Sequence, residues 1–178
     1  HLTGVAHLLR QLHDNTRTSC NRLREFSYFH KVLDQNRLSK HQRERFNRFL
    51  GTWWHSPRIR RDEGCMVHGD ATPANYLVND SIWAIDFEGS RNHAHPIRDL
   101  GILAAEIKAS PANARAEGYI GHLLWHYSNS EEEFLHYSGD LPFFMALGYL
   151  RITRLPWWAG ERCRLLREAE ACLAAGPV

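Results

Sequence analysis

The chain has 178 residues, of which 43% are hydrophobic and 24% are charged, and its formal net charge is +2 at pH 7. A chain of this length and composition can bury a full core, so we expect one domain over residues 1–178 and exclude a disordered protein. The small net charge does not indicate nucleic-acid binding, and no run of about 18 apolar residues predicts a membrane span. The four cysteines are too scattered to predict a disulfide framework, which favours reduced thiols and a cytoplasmic protein.

Amphipathic helices dominate the predicted secondary structure on both sides of a short central segment. Apolar residues recur at helical spacing from Leu2 to Leu12 and from Leu23 to Leu33. Ser39 is a predicted N-cap for a third helix, which ends at Pro57. Helices return after the central segment, and they are predicted at Ile97 to Ala109, Ala112 to Tyr127, after Ser130, after Pro142, and Glu161 to Ala175.

Short apolar runs in the central segment predict strands, which makes the fold class α+β and mostly α. The runs are Cys65-Met66-Val67, Tyr76-Leu77-Val78 and Ile82-Trp83-Ala84-Ile85. If Asp80-Ser81 is a two-residue loop, the last two runs form a hairpin in which Asn75 lies opposite Asp86. A three-residue loop would shift this register by one residue and weaken the geometric argument.

Polar residues in this otherwise apolar segment indicate a functional site, because burying them without a purpose is costly. Asn75 and Asp86 carry oxygen atoms of the kind that bind a hard cation such as Mg²⁺. Asp70 precedes Asn75 by five residues, so one tight loop can hold both side chains near the same opening. Phosphoryl transfer needs this combination, a metal on the phosphate oxygens and a carboxylate that orients an acceptor hydroxyl and takes its proton.

Three strings make the resemblance to a known family specific. HGDATPANYLV is followed by AIDFEGS and then by HPIRDLG. In this order they resemble the catalytic loop, the metal-binding segment and the following helix of the aminoglycoside phosphotransferase family, the small-molecule branch of the protein-kinase-like fold. The resemblance implies a catalytic base at Asp70 and Mg²⁺ ligands at Asn75 and Asp86. It also implies supporting roles for further residues, namely His68 as a buried support of the loop, Asp99 as the acid that ties the next helix to the loop backbone, and Leu77 and Ile85 as the floor of a nucleotide pocket.

The implied function is transfer of the γ-phosphoryl group of ATP or GTP, with Mg²⁺, to a hydroxyl of a small-molecule acceptor. The chain resembles only the C-terminal lobe of such an enzyme, because it contains no glycine-rich strand-turn-strand and no lysine-bearing strand. We therefore expect the β-rich N-terminal lobe to be missing and the isolated chain to be inactive. The missing lobe would leave an apolar surface exposed, which would favour self-association or binding of another chain in place of that lobe.

Two other functions remain open from the sequence. A kinase-like lobe retained as a non-catalytic binding or assembly module would also keep the fold. Leu12-His13-Asp14 contains the dipeptide of helical metal-dependent phosphohydrolases, although chance spacings are common among twelve histidines. His93 and His95 are interpreted as part of a polar loop, and the arginines that follow the third helix as a solvated surface, these being Arg58, Arg60 and Arg61.

Overall fold

Helices come first and last in the computed structural model, which describes residues 1–60, 62–110 and 114–177. The helices are α1 (Leu2–Asn15), α2 (Arg22–Gln35), α3 (Lys40–His55), α4 (Ile97–Ala109), α5 (Ala116–Tyr127), α6 (Glu131–Ile152) and α7 (Arg162–Ala174). The strands between α3 and α4 are β1 (Cys65–Val67), β2 (Tyr76–Val78), β3 (Ile82–Ala84) and β4 (Arg91–Ala94). This arrangement confirms the predicted fold class, mostly helical α+β, and the predicted order of elements.

Side-chain caps fix two of the predicted helix starts. The Ser39 hydroxyl accepts the Gln42 backbone N–H at 3.3 Å, and the Gln42 side chain accepts the Ser39 backbone N–H at 3.0 Å. Ser130 accepts the Glu133 backbone N–H at 3.1 Å in the same way. Both contacts satisfy backbone donors that the first helical turn leaves without partners, so α3 and α6 begin where the sequence predicts.

The prediction of separate helices after Ser130 and Pro142 is wrong, because α6 is one helix with Pro142 inside it. Proline removes one backbone hydrogen bond from a helix interior, but packing outweighs that loss here. The residues beside the proline are fully buried, and a Cβ at Gly101 of α4 would collide with Phe144 of α6. The last helix, α7, begins one residue later than predicted, after a 3₁₀ helix at Pro156–Glu161. The predicted helix start at Ala112 lies outside the described residues.

The central strands form two small antiparallel sheets, β2 with β3 and β1 with β4. Leu77 pairs with Trp83, so the hairpin has a three-residue loop and the predicted register is wrong by one residue. Asn75 consequently lies opposite Ile85, whose backbone N–H donates to the Asn75 carbonyl at 3.0 Å. The Asn79 side chain accepts the Ser81 backbone N–H at 3.1 Å, which favours the longer loop over a two-residue turn.

The core lies between α4 and α6 and is completed by α1, α2, α3, α5 and α7. Its largest fully buried side chains include Trp53, Phe29, Phe46 and Phe143, and the Phe143 ring packs against those of Phe29 and Trp53 with centroid distances of 5.1 and 5.3 Å. Trp53 also donates its indole N–H to the Leu173 carbonyl at 3.0 Å. No helix among the described residues has the length and apolar character needed to cross a lipid bilayer.

Candidate active site

Asp99, in the first turn of α4, holds the backbone of the loop that follows β1. Its fully buried carboxylate accepts the backbone N–H of His68 at 2.7 Å and that of Gly69 at 2.9 Å. Burial alone would raise the pKa of Asp99, but hydrogen bonds from His13 and from these two backbone groups outweigh burial and hold the pKa below its ordinary value. The loop is therefore fixed to α4 by a buried ionised acid.

His13 supports this acid from the other side and does not form the predicted hydrolase site. Its Nε2 lies 3.1 Å from the Asp99 carboxylate and its Nδ1 lies 2.8 Å from the Tyr127 hydroxyl. The neighbouring Asp14 is bonded instead to Arg10 and Arg17. Within the described part of the chain, no group of three or more His, Cys, Asp or Glu side chains could hold a metal ion. The geometry thus gives the phosphohydrolase interpretation no support.

His68 joins the loop to the end of β3. The ring is fully buried, its Nε2 donates to the Ile85 carbonyl at 2.8 Å, and its Nδ1 accepts the backbone N–H of Asp70 at 3.3 Å. The Phe87 ring packs against it with the ring centroids 4.5 Å apart. These contacts place the loop that carries Asp70 directly beside the segment that begins with Asp86.

Gly69 makes that close approach possible. Its φ of +82° lies in the region that favours glycine, and a Cβ there would collide with the Gly89 carbonyl oxygen. Gly89 ends the 3₁₀ turn that follows Asp86. Gly69 therefore allows the loop before Asp70 and the turn after Asp86 to touch through their backbones.

Asp70 and Asn75 form one hydrogen-bonded unit. The Asn75 side-chain amide donates to the Asp70 backbone carbonyl at 2.7 Å and to its carboxylate at 3.1 Å. Because the amide nitrogen makes these two hydrogen bonds, the amide oxygen of Asn75 remains available to bind a cation or to accept a hydrogen bond. The Asp70 side chain is 37% exposed, so its carboxylate is accessible from solvent.

Arg151, near the end of α6, is a site residue that the sequence did not reveal. Its guanidinium forms an ion pair with the Asp70 carboxylate and donates to the Gly69 carbonyl at 2.8 Å. Arg151 lies 81 positions after Asp70, and no local pattern connects the two. Only the packing of α6 on α4 brings this charge to the loop.

Asp86 follows β3 in the left-handed backbone region, with φ 63° and ψ 62°. Aspartate tolerates this conformation better than most residues. The side chain is exposed and makes no hydrogen bond or ion pair with any described residue. An unpartnered carboxylate and the amide oxygen of Asn75 are hard oxygen donors, so the chemistry of these residues fits Mg²⁺.

Leu77 and Ile85 lie on the solvent-facing side of the hairpin. They are 52% and 38% exposed, and Trp83, on the same face by strand alternation, is 61% exposed. The opposite face carries the buried Tyr76 and the partly buried Ile82, which packs against α1 at Gly4. The hairpin therefore presents a small apolar surface to solvent.

The separate cavity beside α1 contains none of the residues predicted for phosphoryl transfer, although His13 and Asp14 line it. It has a volume of about 800 Å³ and is lined by charged side chains, among them Arg10, Asp14 and Glu133. Arg10 is already paired with both acids, at 2.7 Å in each case. This cavity is distinct from the surface formed by Asp70 and Asn75.

One of three comparisons with known proteins shows the family of this chain. The model of the phosphotransferase enzyme family, APH, matches residues 1–132, which is most of the chain and includes the whole segment from His68 to Asp99. The chain therefore belongs to this family of phosphotransferases. The comparisons with curated proteins and with solved structures gave no match.

Proposed function

We propose that this chain is the C-terminal catalytic lobe of a kinase-like phosphotransferase that transfers the γ-phosphoryl group of ATP or GTP to a small-molecule hydroxyl. The observation that carries the proposal is the loop from His68 to Asn75, in which Asp99 fixes the backbone and Asn75 bonds directly to Asp70. Fixing groups in this way is the main contribution a protein makes to phosphoryl transfer. Family membership supports the class of reaction, phosphoryl transfer.

Asp70 is the proposed base. Its accessible carboxylate would accept a hydrogen bond from the acceptor hydroxyl and take its proton while the acceptor oxygen bonds to the γ-phosphorus. The bond between the γ-phosphorus and the bridging oxygen breaks, and the nucleoside diphosphate leaves with that electron pair. Arg151 orients the Asp70 carboxylate, and Asp99 and His68 hold the loop behind it.

Asn75 and Asp86 are the proposed ligands of Mg²⁺, through the amide oxygen of one and the carboxylate of the other. When bound, Mg²⁺ neutralises charge on the phosphate oxygens. Leu77 and Ile85 would lie under the base of the nucleotide, because the exposed hairpin face is apolar and adjoins the turn that carries Asp86. This apolar face is also the part of the described surface best suited to contact a second lobe or another chain.

An acceptor screen tests this function. The natural full-length protein is incubated with ATP, Mg²⁺ and a panel of sugars, amino alcohols and hydroxy acids, and products are followed by phosphorus NMR. We expect a phosphorylated acceptor and an equal amount of ADP, with both signals absent when Mg²⁺ is chelated. Nucleotide binding without transfer to any acceptor would favour a binding module, and release of inorganic phosphate that depends on Asp14 would favour a hydrolase.

A further inference from the structure

Arginines surround Tyr28 of α2 close to the proposed active site. The guanidinium carbon of Arg91 lies 4.4 Å from the centroid of the Tyr28 ring, and that of Arg98 lies 4.2 Å from it. Arg154, which follows α6, interacts electrostatically with the same tyrosine and donates through its Nε to the Arg151 carbonyl at 3.4 Å. Arg151 in turn is bonded to Asp70, so the arginine cluster is continuous with the proposed base.

Two of these arginines have carboxylate partners. Arg98 is 1% exposed and pairs with Glu25 at 2.6 Å, and Arg151 pairs with Asp70. Even so, the Nε and Nη2 atoms of Arg98 are buried without a hydrogen-bond partner in the described structure. Buried guanidinium donors are normally satisfied, so the cluster has unused donor capacity.

The other two arginines, Arg91 and Arg154, have no carboxylate partner among the described residues. Glu25 attracts Arg91 and Asp70 attracts Arg154, but each of these acids is already paired with another arginine. In the described part of the chain, the Nε atom of Arg91 is buried without a hydrogen bond, and Arg154 donates to one side chain, that of the neutral Gln35. The cluster therefore carries an excess of positive charge beside the site.

Burial, and then this excess of positive charge, destabilise the charged form of both side chains. Burial lowers the pKa of Arg91, and the charge of Arg98 lowers it further. Arg154 is exposed overall but partly desolvated, and this desolvation lowers its pKa; Tyr28 raises the pKa, and the charge of Arg151 lowers it. An anion placed between these groups would remove the repulsion and satisfy the unused donors.

A half-buried acid on α4, Glu106, does not reverse this balance. It interacts electrostatically with Arg151 and Asp70, and burial raises its own pKa. Even with Glu106 counted as fully ionised, the cluster has fewer carboxylates than guanidinium groups. The three carboxylates are those of Glu25, Asp70 and Glu106, and the four guanidinium groups are those of Arg91, Arg98, Arg151 and Arg154. The excess therefore remains at Arg91 and Arg154, the two arginines without an acid of their own.

We propose that Arg91 and Arg154, beside Tyr28, bind a carboxylate or phosphate group of the acceptor whose hydroxyl lies at Asp70. The inference rests on the proposed phosphotransferase function and adds the chemical class of its acceptor, an anionic small molecule. Arg154 is exposed, so a ligand from solvent can reach its whole guanidinium group. Arg91 is half-buried, so a ligand can reach only the exposed part of its side chain. Guanidinium groups match the planar, two-oxygen geometry of such anions better than ammonium groups do.

Inorganic phosphate is the first probe, because its binding requires no turnover. In the full-length protein we expect Arg91→Gln and Arg154→Gln each to weaken phosphate binding by about tenfold, the factor typical of one charge-assisted hydrogen bond. Arg48→Gln, on the exposed side of α3, is the matched control and should leave binding unchanged. Equal phosphate affinity in all three variants would overturn the proposal.

Matched acceptors provide the second measurement, gluconate against glucose and glycerol phosphate against glycerol. We expect the charged member of a pair to be used at least about tenfold better, and Arg154→Gln to remove that preference through KM rather than kcat. Equal use of both members, or a preference that survives in both variants, would show the anion site to be wrong while leaving the phosphotransferase function intact. If no acceptor is phosphorylated, the proposed function fails, and the phosphate titration alone decides whether the anion site exists.

Discussion

Replacing Asp70 with asparagine is expected to lower kcat of the full-length protein by about a hundredfold to ten-thousandfold, the range typical of losing a general base. Asparagine has nearly the same shape, its one amide oxygen can still accept the hydrogen bond from Arg151, and Asn75 can still donate to the backbone carbonyl at this position. It cannot take the proton of the acceptor hydroxyl. We therefore expect the loop to keep its structure and the KM for MgATP to change little, as measured by steady-state kinetics with any acceptor that the screen identifies.

Asp80→Asn is the control for this variant. Asp80 is an exposed residue in the loop of the β2–β3 hairpin, so its substitution makes the same change of charge elsewhere in the same central segment. It should leave kcat unchanged. A kcat for Asp70→Asn within about threefold of wild type would contradict the role of Asp70 as base, because a general base contributes far more than that.

Asp99→Asn is expected to lower the free energy of unfolding by about 3 kcal/mol, the effect typical of breaking a buried charged network. The wild-type carboxylate accepts hydrogen bonds from two backbone N–H groups and lies against His13. An asparagine has only one oxygen, so its N–H₂ group would face a donor, the backbone N–H of His68 or of Gly69, that would then lack an acceptor. Chemical denaturation followed by tryptophan fluorescence measures the change, and Asp34→Asn, at an exposed ion pair with Arg43, is the control that should lose less than about 1 kcal/mol.

The same network predicts how stability depends on pH. The pKa of Asp99 is lower in the folded protein than its ordinary value of 3.8, so the unfolded chain binds more protons around that pH. The stabilisation is therefore complete above about pH 4 and is lost as the pH falls through the lower, folded-state pKa. Asp99→Asn should show a smaller loss of stability below pH 4 than wild type, and an identical acid dependence of both proteins would show that this carboxylate is not ionised in the fold.

Local patterns in the sequence were sufficient to predict most helices and to predict which site residues lie together when they are close in the chain. Apolar periodicity and capping residues such as Ser39 act within a few positions, and α1, α2, α3 and α4 formed as they predict. The contact between Asp70 and Asn75 was also predictable, because only five residues separate them. Their proposed roles in catalysis and metal binding remain predictions.

Features that depend on distant contacts could not be predicted in this way. Strand β4 has the sequence Arg91-Asn92-His93-Ala94, which lacks an apolar run and is held as a strand by pairing with β1. Pro142 stays helical because α4 packs against α6, and the ion pair between Arg151 and Asp70 arises from the same packing. The hairpin register was missed because the choice between a two-residue and a three-residue loop depends on one side-chain hydrogen bond, that of Asn79.

Titration of the full-length protein with MgATP tests the central claim most directly, because it asks whether Asp86 binds the metal that carries the nucleotide. We expect Asp86→Asn to weaken binding by at least about tenfold when Mg²⁺ is present and to have no effect on ATP binding when Mg²⁺ is chelated. Glu88→Gln, which removes an exposed carboxylate two residues later in the same turn, should bind MgATP as wild type does. Equal affinity of Asp86→Asn and wild type for MgATP would contradict the proposed active site.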